Sequence, residues 1–370
     1  MLPYLKEQYG NPSSIHRQGR LTRKAVNKAR KQIASIINAD PAEILITSGG
    51  TESNNTALQG ITSQFPSSHI ITTSIEHDAV LEPCKKLNSK GFKVDYLPVD
   101  KFGMINTSDL QNIISDKTSL VSVMFGNNEV GTIQPIQKIA KICHENQIIF
   151  HTDAVQAIGK IPVDVKELDV DLLSISSHKL HGPKGIGALY IKDGVKIDPM
   201  ILGGGQEFRL RSGTENVASI VGFGQACEIA QNHLDENISW IKKLQSQLVK
   251  KVLDEIPQVT FNGHVESRLD NNAHFTFLGV NGEDLIIKLD EYGIAASTGS
   301  ACSVNTQKAS HVLESMGFSL EQITGSLRLT VGIFNTENEI NETVEILKKV
   351  IEELRAVSPF KEKYSFESKN

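Results

Sequence analysis

From about residue 20 to residue 190 the sequence alternates helical segments with short apolar strands, and this alternation leaves few folds open. "TRKAVNKARKQIASIINA" puts Ile33, Ile36 and Ile37 on one side of a helix. "EILITS" reads as a strand, "TESNNTALQGI" as a helix, "HIITTSI" as a strand, and "HDAVLEPCKKLNSKG" as a helix ended by Gly91. There follow "FKVDYLPV", a short helix near Thr107–Ile114, the strand "SLVSVMF", the helix "QPIQKIAKICHEN" and the strand "QIIFHT". Strand–helix–strand units on short links build a mostly parallel sheet covered by helices on both faces. After Gly203-Gly204-Gly205 one long helical pattern runs from roughly Asn216 to Leu253, and "HFTFLGV", "GIAAS" and "SLRLTVG" then read as strands between helices. The expectation is an α/β domain over 1–235 and a smaller α+β domain over 236–370.

Composition narrows the function. The 370 residues hold 38 basic and 43 acidic side chains, for a net charge of -5. No long basic run appears, so direct nucleic-acid binding is not expected. The apolar stretches are strand-sized and "MLPYLKEQYG" is not a signal peptide, so no membrane association and a cytoplasmic location are expected. The four cysteines form no C-x-x-C pair, and neither a metal site nor a disulfide framework is indicated. Cys143 and Cys227 lie on apolar helical faces, and Cys84 falls in a helix. Cys302 stands among small residues with no apolar periodicity to bury it.

Each strand of the large domain ends in a polar group, where an open α/β sheet places its ligands. "ILITSGGTESNN" passes through Gly49-Gly50 into a helix near Thr51. That is either an anion cradle of backbone N–H groups or an ordinary cap by Ser48 or Thr51. "IIFHTDAVQ" ends with Asp153, followed by Gln156; a carboxylate there suits a protonated pyridine nitrogen, or caps a helix. "SIEHDAV" sets His77 at a strand-to-helix junction, where its ring could stack on a flat cofactor or shuttle a proton. In "SISSHKLHGPKGIG", Lys184 reads as a solvated turn residue, whereas Lys179 lies closer to the strand end. Desolvation there lowers a lysine's pKa towards the neutral amine that forms a Schiff base. Singly these signals are weak. Together they are the parts of a pyridoxal phosphate (PLP) site, with Asp153 and Lys179 only 179 − 153 = 26 residues apart at the ends of successive strands.

With those residues in hand, the sequence resembles the cysteine desulfurases of the NifS/IscS type, class V aminotransferases of PLP fold type I. The motifs run in family order: "GNPSSIHRQGR", "TSGGTESNN", "IEHDAV", "GNNEVGT", "HTDAVQAIGK", "SSHKLHGPKGIGALYI", "RLRSGTENV", "STGSACS" and "SLRLTVG". The resemblance implies Lys179 as the Schiff-base lysine, Asp153 on the pyridine nitrogen, His77 over the ring and Gln156 near the ring hydroxyl. It implies Thr51, Ser176 and His178 on the phosphate, with Thr214 reaching the phosphate of the other subunit of a homodimer. Asn128 and Arg328 would hold the carboxylate of L-cysteine. Arg328 has its own reading as well: in "SLRLTVG" it alternates with the apolar Leu327, Leu329 and Val331, and its planar fork suits a carboxylate.

A mobile, exposed thiol can act as a nucleophile, and the resemblance gives that role to Cys302. Its "GSACS" setting is similar to the long-loop group that passes persulfide to iron–sulfur scaffolds or tRNA-thiolating enzymes. The family's usual opening strand and Ala-Thr-Thr segment lie upstream of "MLPYLKEQYGNPSS"; the expectation is a folded, PLP-binding dimer with weakened turnover. Two rival readings are another class V enzyme, such as a selenocysteine lyase or an aminotransferase, and a non-catalytic partner-binding protein.

Overall fold

The computed structural model describes residues 1–299, 309–359 and 363–364, in two compact units. The first comprises Met1–Leu97, Thr107–Phe125 and Gln134–Leu234. In chain order it holds α1 (Leu2–Lys6), α2 (Arg17–Ser35), β1 (Ile44–Thr47), α3 (Gly50–Thr62), β2 (His69–Thr73), α4 (Asp78–Ser89) and β3 (Lys93–Leu97). Then come α5 (Thr107–Ile113), β4 (Thr118–Ser122), α6 (Ile136–Glu145), β5 (Ile149–Asp153), α7 (Val165–Leu168), β6 (Leu172–Ser176), β7 (Gly187–Ile191) and α8 (Val217–Asn232).

The seven strands lie in the order β1-β7-β6-β5-β4-β2-β3. β2, β3, β4, β5 and β6 run parallel, and β7 is antiparallel to both of its neighbours. The carboxyl ends of β1, β6, β5, β4 and β2 therefore lie along one edge of the sheet. Strands β1, β2, β4, β6 and β7 are buried at every position, as expected where helices cover both faces. Leu45, Ile70, Leu120, Leu172 and Leu189 of the sheet pack with Leu58 and Ile61 of α3 and Val80 of α4.

The second unit is assembled from Pro98–Asn106, Gly126–Ile133 and the chain from Asp235 onward. It contains α9 (Leu234–Glu255), β8 (Val259–Asn262), β9 (Asn272–Phe277), α10 (Gly282–Glu291), α11 (His311–Ser315), α12 (Leu320–Thr324), β10 (Ser326–Thr330) and α13 (Glu337–Val357). Its antiparallel sheet has the order β10-β9-β8. Leu327, Leu329, Phe275 and Phe277 from that sheet share a core with Leu244, Leu285 and Leu347.

Two expectations need correction. The long helix of 216–253 is two helices, because His233 leaves helical geometry (φ -116°, ψ 16°) between α8 and α9. The apolar faces hide the break: Cys227 of α8 and Ile241 of α9 are 241 − 227 = 14 residues apart, nearly four turns at about 3.6 residues each. "GIAAS" is no strand either; only Ser297 bridges to β10, opposite Arg328. Among the described residues no helix is long and apolar enough to cross a membrane.

Candidate active site

The first unit gathers an anion-binding corner where β1 and β6 end. Helix α3 starts at Gly50, and its N-cap is Gly49 at φ 149°, ψ 180°, a conformation open in practice only to glycine. Neither Ser48 nor Thr51 caps the helix with its side chain, so the first-turn N–H groups keep their positive end of the helix dipole for an outside anion. A Cβ on Gly50 would stand 2.7 Å from Val155, so the helix start lies against the turn that follows Asp153. Ser176 closes the corner, its Oγ 2.8 Å from His178 Nδ1. Partial burial, then the charges of Lys179, Lys184 and Lys160, hold the His178 pKa below its usual value, so a neutral imidazole sits in a positive field suited to a phosphate.

Asp153 ends β5 almost fully buried. Its Oδ1 accepts from the Val155 N–H at 3.0 Å and its Oδ2 from Asn54 Nδ2 at 2.6 Å. Burial raises its pKa; the Val155 N–H, Asn54 and the charges of His77 and Lys179 pull the other way. Burial wins on balance, so the carboxylate lacks a full counter-charge in this dry place, and a protonated pyridine nitrogen would supply it. Asn54 is a site residue that the sequence reading passed over. It lies with Ala57, Leu58 and Ile61 on the buried face of α3, and a polar residue on such a face needs a partner.

Lys179 lies in the one-turn helix Ser177–Leu180 directly after β6, half-buried, while Lys184 is exposed as expected. His77 is the N-cap of α4: its Nδ1 accepts from the Ala79 N–H at 3.0 Å, which fixes the ring and leaves Nε2 as its N–H donor in the neutral form. Gln156 takes a hydrogen bond from Lys160 Nζ at 2.7 Å, which occupies its carbonyl and leaves its NH2 to serve a ring oxygen. Thr51 is exposed beside the helix start, and Thr214 is exposed on a loop before α8. This set fits a flat, phosphate-bearing pyridine: a positive corner, a buried carboxylate, a ring-bearing cap and a strand-end lysine.

Two further groups in this unit were missed. Glu76, next to His77, is fully buried, and its Oε1 accepts from Thr73 Oγ1 and the Met124 N–H, both at 2.8 Å. Burial pushes its pKa up to about 8, with the Asp153 charge adding to the rise. The buried pair Arg30–Glu207 (2.9 and 2.5 Å) is joined to β1, since Glu207 also accepts from the Ile46 N–H at 2.8 Å. It anchors three successive left-handed residues, Glu207, Phe208 and Arg209, at φ 44°, 59° and 66°.

In the second unit, Arg328 projects from β10 on the face opposite the buried Leu327 and Leu329, and its Nη1 donates to the Asn128 carbonyl at 2.8 Å. The two residues expected to hold a carboxylate are thus in direct contact. Burial lowers the Arg328 pKa and the Glu129 charge opposes that shift. Cys302 lies outside the described residues. The other three cysteines are buried, and burial lifts the thiols of Cys84 and Cys143 to about 12 and that of Cys227 higher still, so none of them offers a thiolate. Cys84 is thereby excluded as a substitute nucleophile. No cluster of three or more metal-ligating side chains occurs among the described residues.

Comparison with known proteins agrees with this chemistry. The aminotransferase class-V family model matches residues 1–342. The cysteine desulfurase IscS of Dictyoglomus turgidum is 48% identical over 100% of this chain and 94% of its own length. A solved NifS-like protein superposes with a TM-score of 0.89 at 40% identity, covering 95% of this chain and 93% of that one. SspA, solved in complex with cysteine, gives a TM-score of 0.80 at 35% identity over 90% and 94% of the two chains. Alike in sequence and fold over nearly all its length, the chain belongs to the class-V aminotransferases, among their cysteine desulfurases.

Proposed function

We propose that this enzyme takes sulfur from L-cysteine as a persulfide on Cys302, leaves L-alanine, and hands the sulfur to an acceptor protein. The observation that carries the reading is the buried carboxylate of Asp153 at the end of β5, held by Asn54 and the Val155 N–H and within reach of the charges of His77 and Lys179. When bound, PLP supplies an electron sink conjugated to the substrate Cα. The α3 N-terminus, Thr51, Ser176 and His178 would hold its phosphate, while Asp153, fixed by Asn54, would keep its ring nitrogen protonated. Gln156 would serve the ring hydroxyl.

Arg328 and Asn128 bind the substrate carboxylate, for which a guanidinium fork is well shaped. Lys179 Nζ removes the Cα proton, and His77 Nε2 carries the proton of the substrate thiol. The Cys302 thiolate attacks the substrate sulfur. The new S–S bond forms as the Cβ–S bond breaks; the released electron pair goes to Cβ, which takes a proton, and the proton removed from Cα is returned to Cα, which gives alanine. The three buried cysteines support Cys302 as the nucleophile by leaving no alternative.

The working unit is a cytoplasmic homodimer in which the exposed Thr214 reaches the phosphate held by a second copy. The acceptor is an iron–sulfur scaffold or a tRNA-thiolating enzyme, a reading supported by the "GSACS" sequence around Cys302. The test is Cys302→Ala: the variant should bind PLP and L-cysteine and form no persulfide. Unchanged persulfide formation would remove Cys302 from the mechanism.

A further inference from the structure

The second unit contains a buried carboxylate that the mechanism above does not use. Glu129 is 1% exposed, and its Oε2 accepts from Ser310 Oγ at 2.5 Å. Its backbone is fixed on both sides: its N–H donates to Asn127 Oδ1 at 2.8 Å and its carbonyl accepts from Asn272 Nδ2 at 2.8 Å. Taking a carboxylate out of water is costly unless charge and hydrogen bonds repay it, so its surroundings indicate what it is for.

Those surroundings form a circuit. Asn128, the residue before Glu129, gives its carbonyl to Arg328 Nη1. The backbone of Arg328 pairs with Ser297, N–H to carbonyl at 2.5 Å and the reverse at 3.2 Å. Ser297 Oγ donates to the Gly299 carbonyl at 3.0 Å, and a Cβ on Gly299 would stand only 3.1 Å from Glu129 Oε2. On the far side of the 300–308 stretch, Ser310 binds the same oxygen and also caps α11 by accepting from the Leu313 N–H. One carboxylate therefore binds Ser310 after the stretch that carries Cys302 and leaves no room for a side chain at Gly299 before it, next to the arginine assigned to the substrate.

We propose that Glu129 is a positioning residue of the desulfurase reaction, tying the carboxylate-binding Arg328 to Gly299 and Ser310 at the two ends of the 300–308 stretch. The inference rests on the assignment of Arg328 to the substrate carboxylate. Glu129 has two separable tasks: its charge supports the guanidinium, and its Oε2 anchors Ser310. A glutamine keeps an acceptor for Ser310 and removes the charge. Ser310→Ala removes the donor and leaves the charge.

The experiment measures steady-state alanine formation by the full-length, PLP-loaded enzyme, with PLP content and Tm taken alongside. Glu129→Gln is expected to raise KM for L-cysteine about tenfold with a smaller change in kcat, whereas Ser310→Ala lowers kcat about tenfold at little change in KM. Ser310→Thr, which keeps the hydroxyl, should recover kcat. A wild-type kcat for Ser310→Ala would overturn the proposal. The Ser310 pair reads it even if Glu129→Gln folds poorly. Arg328→Lys separates the underlying assignment: an unchanged KM there removes Arg328 from substrate binding, whatever the Glu129 and Ser310 variants do.

Discussion

Asn54 donates a 2.6 Å hydrogen bond to the carboxylate of Asp153 across 99 residues of sequence, joining helix α3 to the end of β5. The contact ties the carboxylate proposed to serve the pyridine nitrogen to the helix whose first turn is proposed to serve the phosphate. Asn54→Ala leaves a buried charged acceptor short of a donor, a loss of about 1–3 kcal/mol. We expect PLP affinity to fall by about tenfold, measured by absorbance titration after removal of the cofactor. Asn54→Asp should be worse, because it puts a second carboxylate against the first.

Lys179 and Lys184 lie in one link and differ in burial, half-buried against exposed. Reduction of the yellow enzyme with borohydride should leave the cofactor on the peptide position of Lys179. Lys179→Ala should bind PLP only reversibly and make no alanine, while Lys184→Ala stays close to wild type. Mass mapping that places the adduct on Lys184 would refute the assignment.

Glu76 makes stability depend on pH with a definite sign. Its folded pKa, about 8, lies above the ordinary value of 4.5, so the folded protein holds this proton more tightly than the unfolded chain. The resulting stabilisation is full below about 4.5 and is lost as pH rises to about 8. In Glu76→Gln the amide oxygen accepts from Thr73 and Met124 as before and cannot ionise. Its Tm should fall less steeply than the wild type's between those two pH values and should exceed it at the alkaline end. Parallel Tm–pH curves for the two proteins would show that Glu76 does not titrate there.

Glu207 compensates the buried guanidinium of Arg30 and bonds the backbone of β1 at Ile46. Glu207→Ala strands that charge, and losses of this kind run to about 3–5 kcal/mol. Denaturant unfolding should show a drop of that size, with PLP binding weakened as β1 loosens beneath Gly49. Arg30→Met in the same background should recover part of the loss, because it removes the stranded charge.

Much of this protein was legible in its sequence because the deciding information is local. An apolar run that ends in a polar residue and a glycine marks both a strand and the place where a sheet of this kind binds ligands. That is how Asp153, His77, Lys179 and the Gly49-Gly50 corner became candidates. The alternation of helix and strand set the α/β class for the same reason. The alternating face of "SLRLTVG" placed Arg328 opposite Leu327 and Leu329, as the structure has it.

Tertiary structure decided whatever depends on partners far apart in the chain. Asn54, Glu76 and Glu129 each have a partner that no local pattern identifies, since Asp153, Met124 and Ser310 lie 99, 48 and 181 residues away. The break at His233 was invisible because the apolar faces of α8 and α9 stay in phase across it, and only the different units they join distinguish them. "GIAAS" has a strand's composition, yet its one bridge is at Ser297. Likewise, nothing within Gly126–Ile133 announces that it packs with the second unit. Periodicity records which face of a segment is buried; what it is buried against is settled only when the chain has folded.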